Sequence, residues 1–182
     1  MSAALDVVTL EADAPPAAAW VAIALGCVAL AARHLTYEST FVTALVGGLG
    51  LLARGTDGIV SRARWIAVVA AGTAFFGIAR LLASPVGIRV TSLGFLTLAI
   101  ASVAEECFFR RYVYAWAARW GAGAAIGVAA VTFALVHVPM YGVRALPVDL
   151  AAGALLGWQR WAAGTWTAPA LTHLVADFLQ VG

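Results

Sequence analysis

The stretch "ASVAEECFFRRYVYAW", residues 101–116, decides how the chain is read. It sets two adjacent glutamates, Glu105 and Glu106, in an apolar run, with Arg110 four residues after Glu106. Four residues is about one helical turn, so Glu106 and Arg110 can pair along one helix face. Two glutamates with one arginine leave a carboxylate unassigned. What that carboxylate does depends on whether this stretch stands in water or inside a membrane.

The remaining sequence points to a membrane. Of 182 residues, 63% are hydrophobic and only 11% are charged, whereas soluble domains carry about 25% charged residues. So little polar surface cannot cover a water-soluble globule of this size, and several membrane spans are the economical reading. A soluble protein built of thick apolar helices is the less economical one. The apolar runs place spans near 17–33, 39–53, 65–83, 91–118, 122–142, 145–163 and 165–181, the second and the last being short. The expected fold is therefore all-α, a polytopic transmembrane helical bundle of about seven spans. Residues 1–90 form an N-terminal tail and accessory spans, and 91–182 form the part that carries the unusual polar residues. Small-residue pairs such as Gly153 and Gly157 in "GALLG" let helices approach closely.

The formal net charge is only +2, and all eleven basic residues are arginines spread along the chain. No basic cluster suggests nucleic-acid binding. The loop "RGTDGIVSRARW", 54–65, sets Arg54, Arg62 and Arg64 against Asp57, and the positive-inside rule puts it in the cytoplasm. Counting spans then puts the N-terminus and the turns near Gly121 and Gly164 inside, and Arg33, Arg80, Arg89 and Arg144 outside. The opening "MSAALDVVTLEADAPPAAAW" lacks the positive n-region of a signal peptide, and reads as a retained tail. Cys27 and Cys107 lie in apolar stretches and are expected to be reduced and buried, with no disulfide framework.

Ionisable residues inside a bilayer are costly, usually face the bundle interior and often carry function. With charges at span ends set aside, six remain: Glu105, Glu106, Arg110, His137, His173 and Asp177. His137 follows Phe133 by four, and Asp177 follows His173 by four, so each pair shares a helix face. Glu106 and His137 flank Gly121 at fifteen and sixteen residues, or about 23 Å along each helix. His173 lies nine residues past Gly164, only about 13 Å from its turn, so the hairpins need not end at one level.

A carboxylate beside a histidine can hold and deprotonate a water molecule. A second histidine with an acidic neighbour can orient a carbonyl and stabilise developing negative charge. Together they describe amide hydrolysis without a serine or cysteine nucleophile. Since Glu106 also serves Arg110, Glu105 is the better candidate base. Other readings stay open at this point. Two histidines and a carboxylate from three spans could bind zinc, although no HExxH is present. A proton-coupled transporter would also place such groups in mid-membrane, although no inverted repeat is visible. A non-catalytic membrane scaffold or immunity protein would use them only to pair helices.

Three segments then carry a resemblance. "EECFFR" (105–110), "FALVH" (133–137) and "HLVAD" (173–177) resemble, in order, the EExxxR, FxxxH and HxxxN/D motifs of the CPBP family. This is the CAAX-protease and bacteriocin-processing group of intramembrane proteases. The resemblance covers about 91–181. It implies a catalytic transmembrane core at 91–182 and an endopeptidase acting on a membrane-associated, prenylated or tagged protein or peptide. Glu105 and His137 would activate water, His173 and Asp177 would form the oxyanion site, and Arg110 would support the glutamate pair. No metal and no other cofactor is implied, and the partners are the bilayer, the substrate and a substrate-presenting membrane protein. The expected location is the plasma membrane of a bacterium or archaeon. Asp177 stands where the best-known eukaryotic members have asparagine. An ionised aspartate would repel an oxyanion, so it would act protonated or by orienting His173.

Overall fold

The computed structural model describes residues 17–35, 39–53, 57–82 and 91–180. The tail at 1–16, Arg54 and Arg89 lie outside the described residues. The helices are α1 (Ala17–Ala32), α2 (Ser39–Leu49), α3 (Arg62–Leu82), α4 (Ser92–Glu106), α5 (Tyr114–Ala117), α6 (Ala122–Tyr141), α7 (Leu146–Ala163) and α8 (Thr167–Phe178). A π-helical segment, Cys107–Val113, joins α4 to α5, so Ser92–Trp120 forms one long rod. No strand occurs among the described residues. The seven expected spans correspond to α1, α2, α3, the α4–α5 rod, α6, α7 and α8.

Four of these rods are long and apolar enough to cross a bilayer: Ala17–Leu35, Arg62–Leu82, Ser92–Trp120 and Ala122–Tyr141. Their polarity is inverted relative to a soluble protein. Leu25, Val28, Leu81, Leu82 and Leu93 face outward, while Arg110 and Glu106 are wholly buried. Four long apolar rods with leucine and valine outside and charge inside make this a multi-pass membrane protein.

The centre of the bundle is the π-helical segment itself. Phe108, Phe109 and Val113 pack there against Ile23 and Leu30 of α1, Val46 of α2, and Ala129, Phe133 and Val136 of α6. A wide turn of this kind is rare in helices and concentrates at functional sites. Its carbonyls take outside help: Arg160 of α7 donates through Nε to the Arg110 carbonyl at 3.0 Å. Glycines set the closest helix approaches. A Cβ on Gly47 would stand 2.7 Å from the Ala104 Cα, and one on Gly153 would stand 2.9 Å from the Ala130 Cα. The "GALLG" pair thus serves α6–α7 packing.

Two contacts fix which ends lie together. Trp20 stacks on Trp120 at 5.6 Å, joining the start of α1 to the end of the long rod. The loop after α2 is clipped to the α7–α8 turn by Gly58 N–H to Gly164 O (3.1 Å) and Val60 N–H to Ala163 O (3.2 Å). Asp57 adds ion pairs to Arg111 (3.0 Å) and Arg160 (3.1 Å). Gly164 makes that turn in the left-handed region at φ 77°, where a side chain would be strained.

The close approach at Gly47 gives a paired test. Gly47→Ala pushes a Cβ onto α4 backbone, and overpacking of this kind costs about 1–3 kcal/mol. Nothing lies within 4 Å of a Cβ at Gly48, so Gly48→Ala should be neutral or stabilise by up to ~1 kcal/mol through helix propensity. Thermal melts of both variants in one detergent check the difference. Equal melting temperatures would contradict the α2–α4 packing.

Candidate active site

The two carboxylates are each matched to a guanidinium. Glu106 Oε1 accepts from Arg110 NH1 at 2.8 Å, one turn along the same rod. Arg110 NH2 donates to the Gly153 carbonyl at 3.2 Å, and its guanidinium sits 4.5 Å over the Phe133 ring. Glu105 Oε1 pairs with Arg33 NH1, delivered by the 3-10 turn that ends α1. Glu105, Glu106, Arg33 and Arg110 are all buried. A buried charge stripped of its partner costs several kcal/mol, so the four charges are mutually dependent.

The two histidines face these carboxylates from other helices. His137 Nδ1 stands 2.7 Å from the Phe133 carbonyl. A carbonyl only accepts, so Nδ1 carries the hydrogen, and in the neutral ring Nε2 is then the acceptor. That Nε2 lies 3.7 Å from Glu105 Oε2 and 3.5 Å from Arg33 NH2. His173 Nδ1 lies 2.8 Å from Glu106 Oε1, and its Nε2 lies 3.8 Å from Asp177 Oδ1. The Ser102 hydroxyl donates to Asp177 Oδ2 at 2.7 Å. Phe133 separates the imidazoles, its ring centroid 4.5 Å from that of His137 and 5.8 Å from that of His173. All six residues singled out in the sequence therefore meet in one cluster.

The contact between Glu106 and His173 also settles the relative levels of the hairpins. Glu106 is about 23 Å from the Gly121 turn and His173 about 13 Å from the Gly164 turn. The first hairpin thus projects about 10 Å beyond the second.

One family model matches the chain, described as Type II CAAX prenyl endopeptidase Rce1-like, over residues 87–179. That is just over half of the chain. The chain belongs to this family. No curated protein and no solved structure matches it. The family is that of a CAAX-type endopeptidase, and the segments "EECFFR", "FALVH" and "HLVAD" all lie within the matched region.

In this Rce1-like chain, His137, His173 and Asp177 line a cavity of about 400 Å³ between α3, α6, α7 and α8. Tyr141, Asp149 and Gln180 complete its polar lining. The Tyr141 ring stacks on the His137 imidazole at 5.8 Å and 6° between planes. The base of α8 is held by Gln159, whose Nε2 donates to Val68 O (2.7 Å) and Thr172 Oγ1 (3.0 Å). Thr172 is thus hydrogen-bonded beside His173. Among the described residues, no group of three or more His, Cys, Asp or Glu side chains is disposed to hold a metal ion.

Two sequence expectations need correction. Arg33, set aside in the sequence as a charge at a span end, is a buried partner of Glu105. Glu105 is therefore not the carboxylate left without a cation. Helical spacing detects partners four residues apart, and this pair is separated by 72. The one available signal was the unassigned carboxylate, which called for a second arginine inside an apolar run. Cys107 is buried as expected, but Cys27 is only half-buried. Ser102 and Gln159 also escaped notice, since a lone serine or glutamine in a span carries no pattern.

Glu106 serves two partners at one oxygen, and its loss should be structural. Glu106→Gln leaves Arg110 buried without a counter-charge, a change that costs about 3–5 kcal/mol. The expected result is a large drop in melting temperature in detergent, partly restored in Glu106→Gln/Arg110→Met. An unchanged melting temperature for Glu106→Gln would contradict the ion-pair account.

Proposed function

We propose that this protein is an intramembrane endopeptidase that uses Glu105 and His137 to activate water. The observation that carries the reading is the 3.7 Å separation of Glu105 Oε2 and His137 Nε2, in a chain of the CAAX-type endopeptidase family. Two acceptors that far apart can both hydrogen-bond one water molecule at ordinary distances of about 2.8 Å. Glu105 takes a proton from that water as the oxygen attacks the scissile carbonyl carbon. The developing oxyanion accepts a hydrogen bond from Nε2–H of His173. The carboxylates of Glu106 and Asp177 on either side of the ring balance the charge of an imidazolium. Ser102 and the i,i+4 spacing keep Asp177 beside His173, which supports an orienting role for Asp177 rather than direct contact with the oxyanion. Collapse of the tetrahedral species breaks the C–N bond, and Glu105 passes its proton to the departing amine. Water is consumed, and a carboxylic acid and an amine result.

The substrate is a membrane-associated peptide or protein whose scissile bond enters the cavity between α6, α7 and α8. A prenyl group or another membrane tag holds it there, with or without a presenting membrane partner. The test is a panel of prenylated and unprenylated peptides offered to the protein in liposomes, with products read by mass spectrometry. Glu105→Gln and His137→Ala should each lower kcat by about 10²–10⁴-fold, the usual range for a general base. Full hydrolysis by both folded variants would overturn the assignment. Activity should survive thorough chelation; loss restored by added zinc would replace this mechanism with a metal-dependent one. Ion flux without cleavage would favour a transporter.

We also propose that the loop 57–61 and the start of α3, which carries Arg62 and Arg64, face the cytoplasm of a prokaryotic cell, with the start of α1 on the same side. The excess of arginine at that end supports it. A single cysteine at Ser61, in a chain lacking Cys27 and Cys107, should resist a membrane-impermeant thiol reagent added to intact cells, and one at Val143 should react. The reverse pattern would invert the topology.

A further inference from the structure

The geometry points to Arg33 as a positioning residue that holds Glu105 and His137 in register, so the first helix completes a site whose other members all lie within residues 87–179. This inference rests on the water-activating roles proposed above. Arg33 pairs through NH1 with Glu105 Oε1, and its NH2 lies 3.5 Å from His137 Nε2. One planar guanidinium thus reaches both members of the proposed base pair. Its fork engages one oxygen of Glu105 and leaves Oε2 turned towards His137. A guanidinium only donates, and its approach at 3.5 Å suits an Nε2 that carries no hydrogen while leaving that lone pair open to the water. The Phe133 carbonyl demands the same tautomer from the other side of the ring.

The helix that delivers Arg33 is fixed, not loosely attached. Leu30 and Ile23 are buried against Phe108, Val113 and α6 residues. A Cβ on Gly26 would come within 2.6 Å of the Phe108 ring, so α1 lies directly on the π-helical segment. At the far end Trp20 stacks on Trp120. Arg33 itself is only 9% exposed. It lies outside the residues that match the family model, and its role cannot be inferred from that match.

The experiment compares Arg33→Met, Arg33→Lys, Glu105→Gln and Arg33→Met/Glu105→Gln, each in the full chain. Kinetics use whichever peptide of the panel the wild-type protein cleaves. Misplacing a reacting group by about 1 Å can cost about 10²-fold, so Arg33→Met should lower kcat about 10–100-fold with KM within about twofold. Arg33→Lys, which keeps the charge, should recover part of that loss. In the Glu105→Gln background, Arg33→Met should cost little more, because the group it positions is already gone. A folded Arg33→Met with wild-type kcat, or a loss that adds in full to that of Glu105→Gln, overturns the proposal. If Arg33→Met fails to fold, melting temperature decides: the double variant must be more stable than Arg33→Met alone, and no recovery overturns the pairing. Should Glu105→Gln retain full activity, the mechanism fails instead, while the stability comparison still reports on Arg33 and Glu105.

Discussion

Two carboxylates buried in an apolar bundle, each against a guanidinium, set the terms for everything around them. Neither arginine can lose its charge, and neither carboxylate can be left alone at this depth without a cost of several kcal/mol. Charge neutrality therefore dictates which helices must meet. Arg110 satisfies Glu106 within one rod, and Arg33 brings α1 to Glu105. His173 brings α8 to Glu106. The bundle has no water to drive its apolar faces together, since lipid is as apolar as leucine. Polar closure and tight packing of small residues take over that task.

The π-helical segment is where these demands are reconciled. A widened turn changes the direction of side chains after Glu106 without breaking the rod. It presents Phe108, Phe109, Arg110 and Val113 inward together, all wholly buried. Arg110 then reaches Glu106, the Gly153 carbonyl and the Phe133 ring at once. Gly153 permits this by bringing the α7 backbone close to α6. Phe133 in turn stands between the imidazoles, so one buried arginine indirectly sets the spacing of the two histidines.

Much of this was legible in the sequence, because apolar runs and four-residue spacings are local signals. The seven helical spans, the Glu106–Arg110 pair and the convergence of His137, His173 and Asp177 all follow from such signals. The hairpin levels were not legible, because turn positions count residues and not the offset between neighbouring hairpins. The π-helical segment was invisible for a related reason: "CFFRRYV" has no residue that forces a wider turn, and tertiary packing selects it. Arg33 was hidden by position. A charge at the end of an apolar run ordinarily snorkels to the membrane surface, and only the fold reveals that this one turns inward.

That position near a span end has a consequence for how the protein is made. Chains emerge from the ribosome N-terminus first, so Arg33 reaches the bilayer 72 residues ahead of Glu105. At a helix end its long side chain can keep its charge in the interfacial water during that interval. Glu105 and Glu106 then enter mid-rod, where a carboxylate has no such escape, with one cation already installed and the other only four residues behind Glu106. The order of synthesis thus places the cation that tolerates delay first, and shortens the time during which the two carboxylates stand in lipid without counter-ions.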